Sequence, residues 1–292
     1  MYSPIFALFY AFTWLVSQLP SKTMCFFSDL LRFFIYRVFR YRVKVVRENL
    51  VKSFPEKGRL ELREIEKKFY IHLCDLFFEN FFLLHASRER ALRRCKFENI
   101  AQFEKLHKQG KSAIIATGHY GNWELYALMG AKLNHFPLGV YKPLNDKRFE
   151  RLLNKARERF GGVPVLMNDT LRTTVKFIKE GKPVLLGLIA DQTPPSADIR
   201  YWTNFLNQET PVFLGVEKIA QKLDLPVFFG SMKKVRRGKY VVDFKLLTDK
   251  PKECKPYEIT EMHVRALENL VREHPEYWLW SHRRWKHKRK FE

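Results

Sequence analysis

From residue 113 onward, short apolar runs alternate with stretches of helical pattern along this 292-residue chain. The apolar runs lie at 113–117, 184–190, 227–229 and 240–247. The helical stretches lie at 123–133, 146–160, 170–180, 212–223 and 259–273. Strands that alternate with helices are typical of sheets whose parallel strands are joined by crossover helices. The sequence therefore predicts an α/β fold with a mostly parallel central sheet flanked by helices.

The first 21 residues form a largely apolar segment without a charged side chain. A helix through its apolar part would be about 25 to 30 Å long at 1.5 Å per residue, which barely matches a bilayer core. We expect a membrane-anchor helix over 1–21 that either spans the bilayer or lies in one leaflet; a buried helix of a soluble protein is the alternative. A cleaved signal peptide is disfavoured, because no Lys or Arg precedes the apolar run and no A-x-A site follows it.

Two basic segments, 22–44 and 282–290, contribute to a net charge of +22. The first interleaves cations with aromatic rings, as at a membrane interface, and the positive-inside rule places it on the cytoplasmic side. The second is either a disordered tail or a contact with anionic lipid. Nucleic acid would also attract this charge, but no RNP-like, zinc-finger or helix-turn-helix motif appears. We expect an anchor (1–21), a basic helical interfacial region (22–95) and an α/β domain (96–292).

The segment GHYGNWE follows the apolar run at 113–117. Four residues separate His119 from Glu124 in it, an H-x4-E spacing. Moving an acyl group from a thioester to a hydroxyl requires a base that takes the hydroxyl proton, and histidine suits that role near neutral pH. If a helix begins near Gly121, Glu124 lies in its first turn and reaches back to orient the imidazole. The plainer alternative is that His119 caps the helix and Glu124 is a solvated acid.

Other chemistries lack a motif. The four cysteines are far apart without a CxxC pair, and the nine histidines form no HExxH, so we expect no metal and no zinc site. No G-x-S-x-G sequence is present, which argues against a serine acyl-enzyme. The phosphate-loop spacing fails at 105, where Lys105 stands instead of glycine.

Six motifs occur in an order that resembles one family across nearly the whole chain. They are RENL with FP at 47–55, GHYGNWE at 118–124, YKPL at 141–144, RERFG at 157–161, ADQ at 190–192 and WLWSHRRWK at 278–286. In this respect the chain resembles the bacterial lipid A late acyltransferases, the lauroyl and myristoyl transferases.

The resemblance implies an enzyme of the bacterial inner membrane whose catalytic domain lies on the cytoplasmic face. It implies no cofactor, but an acyl thioester as co-substrate, carried by acyl carrier protein or by coenzyme A. The expected partners are acyl carrier protein, an anionic lipid acceptor and inner-membrane phospholipid, but not nucleic acid. A lysophospholipid or an aminolipid is the alternative acceptor to a lipid A precursor.

The resemblance also implies roles for individual residues. His119 and Glu124 match the family's catalytic histidine and acid, and Arg157 or Arg159 matches its functional arginine. Substrate contacts are expected from Asn122, Lys142, Arg157, Arg159 and Asp191. From the residues alone, Arg157 and Arg159 also suit a structural role near the end of a helix, and Asp191 lies where ligand sites form beyond a strand of an α/β sheet. Lys142 stands where many members carry Arg, which favours a different acceptor headgroup.

Overall fold

The structure, a computed structural model, describes residues 4–289 as a central sheet covered by helices. The strands in chain order are β1 (Cys95–Phe97), β2 (Ala113–Thr117), β3 (Phe136–Tyr141), β4 (Val163–Leu166), β5 (Val184–Ile189), β6 (Trp202–Phe205), β7 (Gln208–Pro211), β8 (Val227–Arg236) and β9 (Lys239–Thr248). The α-helices are α1 (Pro4–Gln18), α2 (Ser21–Arg32), α3 (Val43–Ser53), α4 (Arg59–His85), α5 (Arg88–Leu92), α6 (Ala101–Lys108), α7 (Lys147–Arg159), α8 (Thr170–Lys179), α9 (Gly215–Leu223) and α10 (Glu258–Glu273). A π-helical turn covers Phe33–Val38, and 3₁₀ turns cover Trp123–Ala131, Met167–Asp169, Ser196–Asp198, Pro251–Glu253 and Pro275–Tyr277.

Seven strands form the main sheet in the order β1-β9-β8-β2-β5-β3-β4. Neighbours are parallel except for the β8–β9 hairpin, which is antiparallel. Strands β6 and β7 form a separate antiparallel pair. The predicted α/β fold with a mostly parallel central sheet is therefore confirmed.

Alternate residues of the central strands pack into two different cores. Ile115 of β2 lies in one core with Phe103 of α6, whereas its neighbour Ile114 lies in another with Val216 of α9. Successive side chains of a strand point to opposite faces of its sheet, so helices cover both faces. All five residues of β2 are accordingly buried. The residues that follow β2 therefore lie at the carboxyl edge of a strand in the middle of the sheet.

Helix α1 packs on α4 through aromatic rings such as Phe9 against Phe81, and residues that interrupt its apolar run bind side chains of α4 and α5. The Thr13 hydroxyl lies 2.9 Å from Nε2 of His85, and Arg90 donates to the carbonyl of Ser17 at 2.7 Å. Among residues 4–289, no helix is both long and apolar enough to cross a membrane. With 15 residues α1 extends about 22 Å, because a helix rises 1.5 Å per residue.

The predicted anchor over 1–21 is therefore not supported as a membrane span. Its chain turns at Pro20, where α2 begins one residue later, and residues 1–3 lie outside the described part. Attachment within one leaflet stays a prediction. The domain division also stays a prediction, and its boundary at 95/96 lies within β1.

The C-terminal segment beyond α10 folds back over the edge of the sheet. Arg284 is only 2% exposed, and Trp285 donates from Nε1 to the Thr210 hydroxyl at 2.7 Å. Of the two alternatives for 282–290, a disordered tail is therefore wrong for 282–285, because burial of Arg284 and the Trp285 hydrogen bond hold this part. Contact with anionic lipid stays a prediction, and Lys290 lies outside the described residues. We call 278–285 the C-terminal strap.

Candidate active site

Two neighbouring parallel strands deliver a histidine and an aspartate to one edge of the sheet. Thr117 at the end of β2 pairs with Ile189 at the end of β5, so His119 and Asp191 each follow their strand by two residues. Gly118 permits this approach: a Cβ there would lie 2.8 Å from the Leu267 methyl carbons and 3.1 Å from Oδ2 of Asp191. Ligand sites of open α/β sheets form at such carboxyl ends.

Asp191 holds His119 through both its backbone and its ring. Oδ1 of the carboxylate lies 2.6 Å from Nδ1 of the imidazole, and Oδ2 accepts the His119 backbone N–H at 2.8 Å. Oδ2 also accepts the indole N–H of Trp278 at 2.8 Å. Burial by itself raises the pKa of Asp191, but the charge of His119 and these hydrogen bonds outweigh burial and lower the pKa to about 2. An ionised carboxylate accepts only, so Nδ1 of His119 carries the proton.

The other ring nitrogen of His119 faces a cavity. With Nδ1 protonated, Nε2 has a free lone pair, and the side-chain N–H of Gln192 donates to it at 3.1 Å. The ring of Trp123 packs edge-on against the imidazole at 4.9 Å between centroids. The imidazole is thus held in one orientation with an acceptor nitrogen directed at the cavity, the arrangement a general base requires.

Glu124 has a different partner from the one expected. Its two carboxylate oxygens accept from Nε and Nη2 of Arg157 at 3.1 and 2.9 Å. We expected Glu124 beside the imidazole, and this prediction is wrong. The carboxylate at Nδ1 of His119 is that of Asp191, because the register of β2 with β5 brings it there. The expected helix start is also corrected: the turn that begins at Trp123 is 3₁₀, and Asn122 before it is not helical.

Asn122 anchors the loop to the protein interior. It is 1% exposed, and its amide donates to Oε2 of Glu79 on α4 at 2.8 Å. Oε2 of Glu79 also accepts the Tyr240 hydroxyl at 2.8 Å, and burial raises the pKa of Glu79. Asn122 was expected to contact substrate, but the structure buries it away from the cavity.

The cavity beside His119 has a volume of about 390 Å³. Polar side chains at its wall include His119, Glu124, Lys142, Asn154, Arg157 and Gln192, and apolar ones include Val140, Leu153, Leu188, Val216 and Ile219. Lys142 lies at the exposed rim, and its ammonium lies 5.8 Å from the ring centroid of Phe213. The structure thus brings together His119, Glu124, Lys142 and Arg157 of the expected site residues, with Asp191 directly behind His119.

A second cavity of about 110 Å³ borders the first and is lined mostly by apolar side chains. The two share Trp123, Glu124, Val140, Arg157 and Ile189 in their walls. The second lies under the 3₁₀ turn Trp123–Ala131 and against strands β2 to β5, where Leu138 and Leu185 form part of its lining. An apolar chain that extends from the His119 cavity would therefore leave water.

Arg159 lies apart from this site. Its Nη2 donates to the carbonyl of Leu83 at 2.7 Å, and its side chain lines a separate groove between α1 and α7. Helix periodicity explains the separation, because residues two apart on a helix do not share a face. Of the two candidate arginines, Arg157 is the one at the cavity.

The C-terminal strap clamps the catalytic loop. Besides the Trp278–Asp191 hydrogen bond, the backbone N–H of Leu279 donates to the carbonyl of His119 at 3.1 Å. Gly121, at a φ of +61°, donates its N–H to the carbonyl of Tyr277 at 3.0 Å. Sequence reasoning missed the contact of Trp278; the tryptophan-rich motif at 278–286 was the available signal.

Among residues 4–289, no cluster of His, Cys, Asp and Glu suits a metal ion.

Behind Asp191, the strap also buries Arg284. Burial lowers the pKa of this guanidinium to about 10, and the negative charge of Asp191 partly offsets that effect. Nε and Nη1 of Arg284 have no hydrogen-bond partner among the described residues. The attraction between the two charges thus favours the charged form of Arg284 beside the Asp191 carboxylate.

Comparison with known proteins places this geometry in a family. Among curated proteins none matches the sequence significantly. Among solved structures, the 1-acyl-sn-glycerophosphate (LPA) acyltransferase PlsC from Thermotoga maritima is 14% identical with a TM-score of 0.40, over 89% of this chain and 100% of that one. A likeness of that degree carries no conclusion. The family model of the bacterial lipid A biosynthesis acyltransferases matches residues 2–287, and the chain belongs to this family.

Proposed function

We propose that this acyltransferase moves a fatty acyl chain from acyl carrier protein to a hydroxyl of a lipid A precursor, with His119 as the general base. One observation carries the proposal: Asp191 holds the imidazole with Nε2 directed at a cavity that borders a mostly apolar one. Family membership supports the O-acyl transfer itself. The donor, the acceptor and the residue roles are the proposed part.

The reaction needs one proton acceptor that later returns the proton. Nε2 of His119 takes the proton of the acceptor hydroxyl while that oxygen attacks the thioester carbonyl. The new C–O bond forms, the C–S bond breaks, and the imidazolium gives its proton to the departing thiolate. Asp191 stabilises the imidazolium between these steps, as the carboxylate does in a catalytic triad, but no covalent acyl-enzyme forms.

Arg157 and Lys142 supply positive charge at the cavity wall. Glu124 engages Arg157 through both carboxylate oxygens, and this two-point contact orients the guanidinium. We assign Arg157 to the developing negative charge of the reaction or to an acceptor phosphate, and Lys142 at the rim to a further phosphate. In this assignment Glu124 acts through Arg157.

The apolar cavity provides a place for the beginning of the acyl chain. Its walls of Leu138, Val163, Leu185 and Ile189 exclude water from methylene groups. It borders the His119 cavity, since Trp123 and Glu124 belong to the walls of both. A thioester whose chain entered it would present its carbonyl near the imidazole.

The N-terminal helices offer an apolar surface for attachment to one leaflet. Exposed large apolar side chains on α1, α2 and the π-helical turn include Ile5, Leu8, Phe12, Trp14, Leu15, Phe26, Phe27, Leu30, Phe33 and Phe34. Such surfaces mark membrane or protein contacts when they are contiguous. We propose monotopic attachment to the cytoplasmic face of the bacterial inner membrane, where both long-chain substrates reside or arrive.

The test is a transfer assay with the full chain in detergent. Labelled acyl-acyl carrier protein and acyl-coenzyme A serve as donors, and a lipid A precursor, a lysophospholipid and an aminolipid serve as acceptors. We expect turnover with carrier protein and the lipid A precursor, and its loss in His119→Ala. The matched control His107→Ala removes an imidazole on α6 that packs against His135, and it should retain activity.

Two results would overturn parts of the proposal. Normal turnover by His119→Ala would eliminate the histidine as base. Turnover with lysophospholipid or aminolipid, combined with none on the lipid A precursor, would replace the acceptor and leave the mechanism standing.

A further inference from the structure

We propose that the groove between α1 and α7 binds an anionic phospholipid at a site separate from the catalytic cavity. The groove has a volume of about 740 Å³ and is lined by residues of α1, α4 and α7. Its opposite walls differ in chemistry: α7 contributes cations, and α1 contributes aromatic and aliphatic side chains. This inference concerns a lipid that is bound but not acylated, so it does not depend on the proposed reaction.

The cationic wall consists of four residues on one face of α7: Arg148, Arg151, Lys155 and Arg159. Their spacings of three, four and four residues place them in a row along the helix. Three of them contact protein acceptors: Arg148 pairs with Asp146, Arg159 donates to the carbonyl of Leu83, and Arg151 donates from Nε to the carbonyl of Lys147 on its own helix at 3.2 Å. Arg151 and Lys155 are exposed, and no acid belongs to the groove lining that the structure describes.

The apolar wall consists of Phe6, Ala7 and Tyr10 on α1 together with Leu84 on α4, and Leu152 and Ala156 add apolar surface among the cations of α7. Phe6 packs edge-on against Phe149 of α7 with ring centroids 5.5 Å apart, a contact that joins the two helices beside the groove. Immediately beside this wall, Ile5 and Leu8 are 78% and 73% exposed. The apolar wall therefore continues into the surface that we assign to the bilayer.

This combination favours an amphiphile over an acidic protein. An anionic headgroup would meet the row of cations while its chains follow the apolar wall toward the exposed side chains of α1. An acidic protein surface could pair with the cations, but it would not need a groove to do so. Its side chains would leave the apolar wall of α1 unfilled. The complementary charge and the continuity with the apolar surface both point to a phospholipid of the same leaflet.

The groove and the catalytic cavity share α7 as a common wall. Leu153, Asn154 and Arg157 line the catalytic cavity, whereas Leu152, Lys155 and Arg159 line the groove. A lipid in the groove therefore lies about one helix diameter, on the order of 10 Å, from the Glu124–Arg157 pair. Variants on the groove side of α7 test the lipid without changing a residue of the proposed catalytic machinery.

The experiment counts bound lipid on the full chain by native mass spectrometry in a non-ionic detergent. Dioctanoyl phosphatidylglycerol is the probe, and dioctanoyl phosphatidylcholine, inorganic phosphate and an acidic carrier protein are compared with it. Removing two groove cations in Arg151→Gln/Lys155→Gln should weaken phosphatidylglycerol binding about 30-fold. The double variant Lys105→Gln/Lys108→Gln removes the same charge from the exposed side of α6 and should leave binding within about twofold.

A charge-conserving variant guards against misfolding. Arg151→Lys/Lys155→Arg keeps both charges and should retain phosphatidylglycerol binding. If this variant lost binding, charge would not be what holds the lipid. Unchanged affinity in Arg151→Gln/Lys155→Gln, or equal affinity for phosphatidylcholine, would overturn the site. If inorganic phosphate bound as tightly as phosphatidylglycerol, the groove would be an anion site and not a lipid site. If Arg151→Gln/Lys155→Gln lost binding of the carrier protein but not of the lipid, the occupant would be that protein.

Discussion

Nδ1 of His119 and Oδ1 of Asp191 lie 2.6 Å apart although 72 residues separate them in the chain. The pairing of β2 with β5 produces this contact, since each residue follows its strand at the same distance. The buried aspartate also binds the backbone of His119 and the indole of Trp278. A histidine held at two points by a carboxylate, which is itself held by Trp278, is oriented before any substrate arrives.

Asp191→Asn should lower kcat about 10³- to 10⁴-fold, because an amide stabilises neither the correct tautomer nor the imidazolium. The transfer assay measures this loss, and the folded state is checked by thermal unfolding. Asp198→Asn changes an exposed aspartate on a 3₁₀ turn and should behave as wild type. A variant Asp191→Asn that retains wild-type kcat would exclude Asp191 as the residue that orients His119.

Trp278→Phe should lower kcat about tenfold, since it removes one hydrogen bond to a charged group while keeping an aromatic ring. The matched control is Trp285→Phe, which also loses an indole donor, but one that bonds to Thr210. Because the lost bond stabilises ionised Asp191, the acidic limb of the pH–rate profile should move in Trp278→Phe and stay in Trp285→Phe. Identical profiles for the two variants would show that the strap only supports the fold.

The ion pair of Glu124 with Arg157 predicts coupled losses. If Glu124 acts through Arg157, Glu124→Gln and Arg157→Gln should each impair transfer, and the double variant should lose little beyond the worse single variant. A double-mutant cycle measures this coupling. Additive losses would contradict the assignment and would favour a separate contact of Glu124 with the substrate.

The central strands could be predicted from sequence because their burial leaves a simple pattern. Strand β2 is a continuous apolar run, and its boundaries at Ala113–Thr117 match the prediction. Strands β3 and β4 were missed, since Pro137, Gly139 and Pro164 interrupt their apolar pattern. Strand β4 is the edge strand of the sheet, where Pro164 is tolerated. Strand β3 pairs with both β4 and β5 and holds Pro137 at its second residue.

His119 and Asp191 could be predicted as individual residues of the candidate site, but their pairing could not, and Asn122 and Arg159 lie outside the cavity. His119 and Asp191 were both selected on sequence, yet Glu124 was expected at the imidazole because it is the near carboxylate along the chain. Sheet register decides which carboxylate reaches Nδ1, and register does not follow from a local motif. Likewise the apolar composition of 1–21 predicted a helix, but not that Thr13 and Ser17 would bind α4 and α5 side chains.

The buried histidine His263 predicts that stability falls in mild acid. Burial lowers its pKa to about 4 from an ordinary value of 6.5, although Glu261 opposes the shift. Below pH 6.5 the unfolded chain binds a proton that the folded chain does not, so the free energy of unfolding decreases as pH falls from 6.5 toward 4. The part lost between pH 7 and pH 5 is about 2 kcal/mol for this residue.

His72 and His282 also have lowered pKa values, about 3 and about 4, and they remain in His263→Leu. Urea unfolding at the two pH values should therefore show a smaller acid loss in His263→Leu than in wild type, and equal losses would mean that His263 is protonated in the folded state.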